Sequence, residues 1–393
     1  MHETAARPSL PLVATEEEAD IRQAVRSICE SFGPRYARDC HEAGQPPRQL
    51  WRALADQGFV GANVPQQWGG GGQGIVALSV IAEEAAASGN AMLMLVLSSA
   101  MGGSILDRHG TDAQKQQWLR GIADGTTKLA FAITESDAGS NSHNLRSELR
   151  RDGDGYLLRG QKVFTSGVED ADAVLVVARL RRDDGSLGKP CLSIVDVDAP
   201  GVTRTEIPMP YLGAETQWTL FFDDVSLEPD RLIGGEEGGL ASVFDGLNPE
   251  RIMIAALANG TARLALERAS AYARERIVWN AAIGTHQGVA HPLAKCKIEL
   301  ELARLMTRKA AVLFDADSSL AGEAANLAKY AAAEAATHCV DTAIQTHGGN
   351  GISLEYGLSD LWWQTRFMRV GPVSSEMILN YVAQHLLGLP RSY

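Results

Sequence analysis

The stretch with the clearest chemical potential is Phe131-Ala-Ile-Thr-Glu-Ser-Asp-Ala-Gly-Ser140, where an apolar run gives way to small and hydroxyl residues. Such a loop offers backbone N–H groups and the Thr134 and Ser140 hydroxyls to a flat heterocycle or a phosphate. Taken alone, it marks a binding loop and nothing more specific. Other chemistries find little support. Gly69–Gly74 formally satisfies G-x-G-x-x-G, but no clear strand precedes it and no acidic residue sits about twenty positions on, so it reads as a glycine-rich loop. The nine histidines show no H-E-x-x-H or comparable spacing, so no metal site is expected. No G-x-S-x-G elbow supports a serine hydrolase.

The elements that must position this loop change character along the chain. From Glu16 to Gly125, apolar residues recur at helical spacing, as in Ile21-Val25-Ile28 and Leu50-Leu54. Ile75–Ala87 is alanine-rich and reads as a helix. Met92–Leu97 is apolar on every side and reads as a buried helix, packing in the core or lining an acyl pocket. From Thr127 to Arg231 short β-branched runs (Tyr156–Leu158, Ala173–Leu180, Cys191–Val197, Trp218–Phe222) alternate with Gly, Asp and Pro turns, which indicates an all-β unit. Long helical patterns then return in Ile252–Arg276, Ala294–Phe314 and Glu323–Thr346. A Gly348-Gly349-Asn350-Gly351 break separates them from two shorter candidates. The order α, β, α suggests domains at 15–127, 128–238 and 239–393.

At 393 residues the chain exceeds a single hydrophobic core. A net charge of −12 argues against nucleic acid as the main partner. The five cysteines are dispersed, which fits reduced thiols. Met1–Ala14 lacks a signal-peptide core, and Ala91–Ala100 is too short to span a bilayer. A soluble, cytoplasmic protein is the expectation.

Four motifs make the reading specific. Residues 131–140 resemble the acyl-CoA dehydrogenase signature, A-x-T-E-P-x-A-G-S-D, and Gly160-Gln-Lys-Val-Phe-Thr-Ser-Gly167 is similar to that family's next motif. Tyr272-Ala-Arg-Glu-Arg-Ile-Val-Trp279 through Gln287 resembles its R-x-x-F-G stretch and later glutamine. Gln345-Thr-His-Gly-Gly-Asn-Gly351 matches its G-G-N-G loop. All four occur in the family's order within residues 16–390.

The resemblance implies a helical N-terminal domain, a middle β-barrel-like domain, a C-terminal four-helix bundle and bound FAD, usually in a homotetramer; a dimer stays open. Phe131, Ile133 and Thr134 would contact the isoalloxazine, with Gly139 and Ser140 in the same loop, and Phe164 and Ser166 would flank its other side. Arg276, Trp279 and Gln287 would hold the adenosine diphosphate half of an FAD on a neighbouring subunit. A guanidinium fork suits pyrophosphate. Gln345, Gly348 and Gly349 would reach the same FAD, and Ser374 and Glu376 fall where the family touches the adenine end. Ser140 would also meet the pantetheine arm of an acyl-CoA, and Arg251 its CoA end. Without the family context, Arg276 reads as a surface cation and Trp279 as a core residue.

The implied reaction is the α,β-dehydrogenation of fatty-acid β-oxidation, with electrons leaving to an electron-transfer flavoprotein. It needs a carboxylate base beside the α-carbon. Most relatives carry that glutamate where this chain has Pro372, which cannot serve. A minority, the isovaleryl and long-chain enzymes among them, place it directly before an arginine on a distant helix, as Glu250-Arg251 stand here. The resemblance therefore implies Glu250 as the base. Asn248-Pro249 reads as a helix start, which sets a helix dipole that lowers the Glu250 pKa against burial that raises it. Pro372 also lacks the N–H that in relatives helps polarise the thioester carbonyl. Ser136, Asn141 and Asn280 replace Pro, Asp and Gly of the family pattern. Two alternatives stay open: a flavin enzyme of different chemistry on the same fold (an oxidase, monooxygenase or desulfinase), or a non-enzymatic acyl-CoA binder.

Overall fold

A computed structural model describes residues 14–391. Most of the Met1–Ala14 stretch read for a leader lies outside them. The first unit is helical: α1 (Glu16–Phe32), α2 (Tyr36–Glu42), α3 (Arg48–Ala55), α4 (Gly74–Ala87), α5 (Gly103–His109) and α6 (Asp112–Asp124). Local chemistry sets their ends. The Thr15 hydroxyl accepts the Glu18 N–H at the start of α1, and three glutamates fill its first turn, where the helix dipole favours negative charge. Thr111 and Gln114 form a reciprocal capping box on α6. The segment before α5, Leu95–Gly102, winds as a π-helix and is buried throughout, while Met92 and Leu93 precede it in non-helical backbone. Buried Met92 and Met94 pack in the core.

The glycine-rich loop at 69–74 leads straight into α4, and the Asp315 carboxylate accepts the Ile75 and Val76 N–H groups at 2.8 and 2.9 Å. The anion slot of that helix is filled by the chain's own carboxylate, in keeping with a structural loop.

The middle unit is one sheet. Its strands are β1 (Leu129–Ala132), β2 (Glu148–Asp152), β3 (Gly155–Ser166), β4 (Ala173–Arg181), β5 (Leu187–Asp196), β6 (Val202–Ile207), β7 (Gln217–Leu227) and β8 (Leu232–Ile233). The spatial order is β6-β7-β3-β2-β4-β5-β8, and β1 pairs in parallel with β4. The remaining pairs are antiparallel except β2 with β4.

The third unit begins with α7 (Gly235–Glu275), followed by a small hairpin of β9 (Ile277–Val278) and β10 (Ala281–Ala282). Next come α8 (Gln287–Asp315), α9 (Ala321–His347), α10 (Leu358–Val370) and α11 (Ser375–Tyr381). The expected helix start at Asn248-Pro249 is wrong: both lie inside α7. An internal proline removes one backbone hydrogen bond and costs roughly 3 kcal/mol in an isolated helix. Here α7 continues because it is packed from several sides; Ile252–Ala258 are all buried. Its contact with α4 is close, since a Cβ on Gly260 would lie 2.2 Å from the Glu83 carbonyl oxygen. Among the described residues, no helix is long and apolar enough to cross a membrane.

Candidate active site

Three groups of the residues singled out above occupy three places. The first lies where β1 leaves the sheet. Phe131 is buried at the end of β1, and Ile133 and Thr134 are half-buried beyond it. Gly139 and Ser140 are exposed on the loop. The Val163 N–H donates to the Thr134 carbonyl at 2.9 Å, so this loop lies directly against β3. In β3 the register with β7 slips between Lys162 and Thr165. Phe164 sits in that bulge at φ 55° and stays 57% exposed. A bulge re-aims its side chain, and a bulky residue at positive φ is strained. The Ser166 hydroxyl hydrogen-bonds the Gln217 amide. An exposed aromatic lies beside a loop whose Thr134 and Ser140 hydroxyls find no hydrogen-bond partner among the described residues, an arrangement that can take a flat ring system.

A buried pair missed from the sequence joins the two motifs. Lys162 is fully buried and donates to the Glu135 carboxylate at 2.8 Å and the Ile133 carbonyl at 3.0 Å. Glu135 also accepts the Arg146 and Ser147 N–H groups. Burial lowers the Lys162 pKa to about 8 against the pull of Glu135. Burial raises that of Glu135, but Lys162 and the N–H donors leave it below the usual carboxylate range. The sequence signal for it is weak: Lys162 stands between Gln161 and Val163, and only its burial in the folded strand demands a partner.

The second group is at the far end of the helices. Arg276 caps α7, and the turn between β9 and β10 is Trp279-Asn280, both at positive φ. Two-residue hairpins favour that geometry, and asparagine tolerates it, which accounts for Asn280 at a glycine position. Trp279 is 87% exposed, so the core reading of it fails. Gln287 opens α8, and Gln345, Gly348 and Gly349 lie exposed at the end of α9. A Cβ on either glycine would meet nothing within 4 Å. The Asn350 amide donates to the Tyr272 hydroxyl at 3.3 Å, and Tyr272 stacks on His347 at 4.2 Å, so this loop and the end of α7 are neighbours.

The third group surrounds Glu250, in mid-α7. No protein donor among the described residues hydrogen-bonds its carboxylate. Burial raises its pKa to about 7, against the lowering effect of Arg251 and Lys329. Burial therefore wins the contest left open by the sequence, and no helix N-terminus is present to oppose it. The residue keeps some accessible surface. Arg251 donates to the Asn248 side chain at 3.1 Å, while its Nε is buried without a partner. Pro372 is exposed and follows a cis peptide. Ser374 caps α11, and Glu376 stands exposed in its first turn. The charge of Glu376 acts on Lys329. From Glu250 to Glu275, α7 rises roughly 38 Å at about 1.5 Å per residue. The second and third groups of one chain are thus far apart.

A cavity of about 440 Å³ lined by Asn63, Asp107, Arg108, Asp245, Asp315 and others shares no residue with these groups. Among the described residues no cluster of His, Cys, Asp or Glu could hold a metal ion.

With this geometry in place, comparison with known proteins decides the family. The acyl-CoA dehydrogenase N-terminal, middle and C-terminal domains match residues 15–126, 130–225 and 237–387. The chain belongs to the acyl-CoA dehydrogenase family. This is an FAD-dependent family of oxidoreductases acting on acyl-CoA. The acyl-CoA dehydrogenase FadE12 of Mycobacterium tuberculosis is 50% identical, covering 97% of this chain and 98% of its own. The 3-sulfinopropanoyl-CoA desulfinase of Paraburkholderia xenovorans is 30% identical over 95% of this chain and 97% of its own. Among solved structures, glutaryl-coenzyme A dehydrogenase in complex with glutaryl-CoA superposes with a TM-score of 0.90 at 26% identity, covering 97% of each chain.

Proposed function

We propose that this acyl-CoA dehydrogenase family member oxidises an acyl-CoA thioester to the 2-enoyl-CoA, with Glu250 as the base. The observation that carries this reading is the Glu250 carboxylate: surrounded by protein, free of hydrogen bonds and shifted to about 7. A base poised near the working pH combines availability with strength. FAD, when bound, supplies the acceptor for the hydride from the β-carbon. Glu250 takes the α-proton, and Arg251, with its unpaired buried Nε, faces the substrate. Phe131, Ile133, Thr134, Gly139, Ser140, Phe164 and Ser166 form the surface for the isoalloxazine and the pantetheine arm, held by the Lys162–Glu135 pair.

The distance along α7 supports a shared cofactor site. Arg276, Trp279, Gln287, Gln345, Gly348 and Gly349 stand far from Glu250, so they would serve the adenosine diphosphate half of a neighbour's FAD, whereas Ser374 and Glu376, grouped with Glu250, would touch the adenine end of the chain's own FAD. Exposed Trp279 and Ile277 fit that role. On α8, Ile298, Leu302 and Leu305 form an exposed apolar stripe at helical spacing, suited to burial against another copy in a homotetramer or dimer. Domains at 15–127, 128–238 and 239–393, an electron-transfer flavoprotein as acceptor and a place in fatty-acid β-oxidation in the cytoplasm complete the reading.

The test is an anaerobic titration with a panel of acyl-CoA thioesters, following flavin absorbance and product mass. Bleaching with a product two hydrogens lighter is expected. Glu250→Gln should slow bleaching by on the order of 10²–10⁴-fold. Unaltered bleaching in that variant would remove Glu250 from the mechanism. Pro372, together with the relative that is a desulfinase, favours one second reading, different chemistry on the same fold. Sulfite or peroxide formation without enoyl-CoA would establish it.

A further inference from the structure

Lys329 has no role in the reading above, yet it is among the largest fully buried side chains of the protein. An ammonium taken out of water costs several kcal/mol unless something compensates it. Here the compensation is specific. Lys329, on α9, donates to the Val373 carbonyl at 2.6 Å and to the Arg369 carbonyl at 3.3 Å. These two carbonyls bracket the turn that contains Gly371 and Pro372. A second anchor on α9 acts beside it: the Glu334 carboxylate accepts from Arg369 Nε at 2.7 Å and from the Ser375 hydroxyl at 2.8 Å. The whole turn between α10 and α11 is therefore fastened to α9.

The same ammonium also acts electrostatically on the proposed base. Glu250 and Arg251 from α7, Glu334 from α9 and Glu376 from α11 all act electrostatically on Lys329. Arg369 reaches the group from α10, and Tyr381 of α11 acts on Arg251. Lys329 lies close enough to Glu250 for each charge to act on the other.

We propose that Lys329 is a positioning residue of the Glu250 site: its ammonium fastens the Arg369–Val373 turn to α9 and holds positive charge against the base. The electrostatic half rests on Glu250 being the base; the fastening does not. Glu250 must be both available and strong, and a fixed cation nearby favours its charged form. The carbonyl contacts keep that cation in one place, and so they keep its influence on Glu250 constant.

Two variants of the holoenzyme separate the two halves. Lys329→Met removes hydrogen bonds and charge together. Backbone amides of residues 370–376 should exchange hydrogen at least about tenfold faster, as expected of a segment whose local opening has become easier. The midpoint of the pH dependence of flavin bleaching should rise by about one unit. Lys329→Gln keeps a donor without charge. Its exchange should stay close to that of the native protein while its midpoint rises as in the methionine variant. If Lys329→Met does not fold, Lys329→Gln carries the pH readout and Lys329→Ala, whose small side chain leaves room for water, carries the exchange readout with the same expectation and the same overturning result. Unchanged exchange in Lys329→Met overturns the fastening, and an unchanged midpoint in both variants overturns the electrostatic role. If no thioester bleaches the native protein while exchange still rises in Lys329→Met, the dehydrogenase reading falls and the fastening stands.

Discussion

Two carboxylates of this protein, Glu84 buried and Glu250 largely enclosed, sit near cations and behave in opposite ways. Glu84, on α4, is 1% exposed and is held by Arg26 at 2.7 Å, Arg263 at 2.8 Å and Arg22 at 3.2 Å. Neighbouring Glu83 binds Arg22, Arg263 and Arg304. The hub ties α1, α4, α7 and α8 together. Burial pushes the Glu84 carboxyl up, but hydrogen bonds and charge from Arg263 and Arg26 outweigh it and hold the group at about 2. Glu250 has Arg251 and Lys329 nearby but no hydrogen bond, and burial leaves it at about 7. The comparison separates proximity of charge from satisfaction. A carboxylate whose lone pairs are filled by guanidinium donors is spent on structure. One whose cations are turned elsewhere, Arg251 to Asn248 and Lys329 to backbone carbonyls, remains able to take a proton.

The largest expected effect tests the hub. Glu84→Ala leaves several arginines facing one another without their shared anion, and breaking such a buried cluster costs about 3–5 kcal/mol. Chemical denaturation should show that loss, with flavin bleaching intact in the protein that remains folded. A loss below about 1 kcal/mol would mean that Glu83 alone sustains the hub.

The hub and the base also differ in how far the sequence announced them. Glu250 was legible only through resemblance, from its place before Arg251 and from Pro372 standing where a base is usually found. The paired motifs around Thr134 and Phe164 were legible for the same reason, and the α, β, α order followed from periodicity alone. Glu83 and Glu84 were not legible, because their partners lie on helices far apart in sequence and nothing local marks an ion pair formed in the fold. Lys162 and Lys329 are the intermediate case. Lys329 lies among Leu327, Ala328 and Ala331, which signals a partner without naming it, while Lys162, beside Gln161, carries less of that signal. The misplaced helix start at Pro249 has the same cause: local preference put a boundary there, and the packing of α7 against α4, α8 and α9 carried the helix through.

The two carboxylates should also leave opposite marks on the pH dependence of stability. Glu250 is raised in the fold, from 4.5 to about 7. Its contribution is therefore complete below pH 4.5 and is lost as pH rises through about 7. Glu84 is depressed to about 2, so its contribution is complete above pH 4.5 and is lost as pH falls towards 2. Glu250→Gln cannot ionise, and between pH 5 and 8 it should become progressively more stable than the native protein, by up to ~3 kcal/mol. Thermal unfolding across that range measures the difference. A constant difference would mean that the Glu250 carboxylate is solvated after all.

The smallest effect sharpens what satisfaction means within the hub. Arg26 makes two of the shortest contacts to Glu84, at 2.7 and 2.9 Å, yet half of its side chain is exposed. Water can replace its contacts on the outer side, while Arg22 and Arg263 still reach the carboxylate from within. Arg26→Ala should therefore cost less than about 1 kcal/mol, the usual worth of a solvent-facing ion pair. Arg263→Ala, which removes the more enclosed partner bridging both glutamates, should cost clearly more. Denaturation midpoints of the two variants give the order directly. Equal losses would show that short distance, rather than enclosure, sets what each arginine contributes.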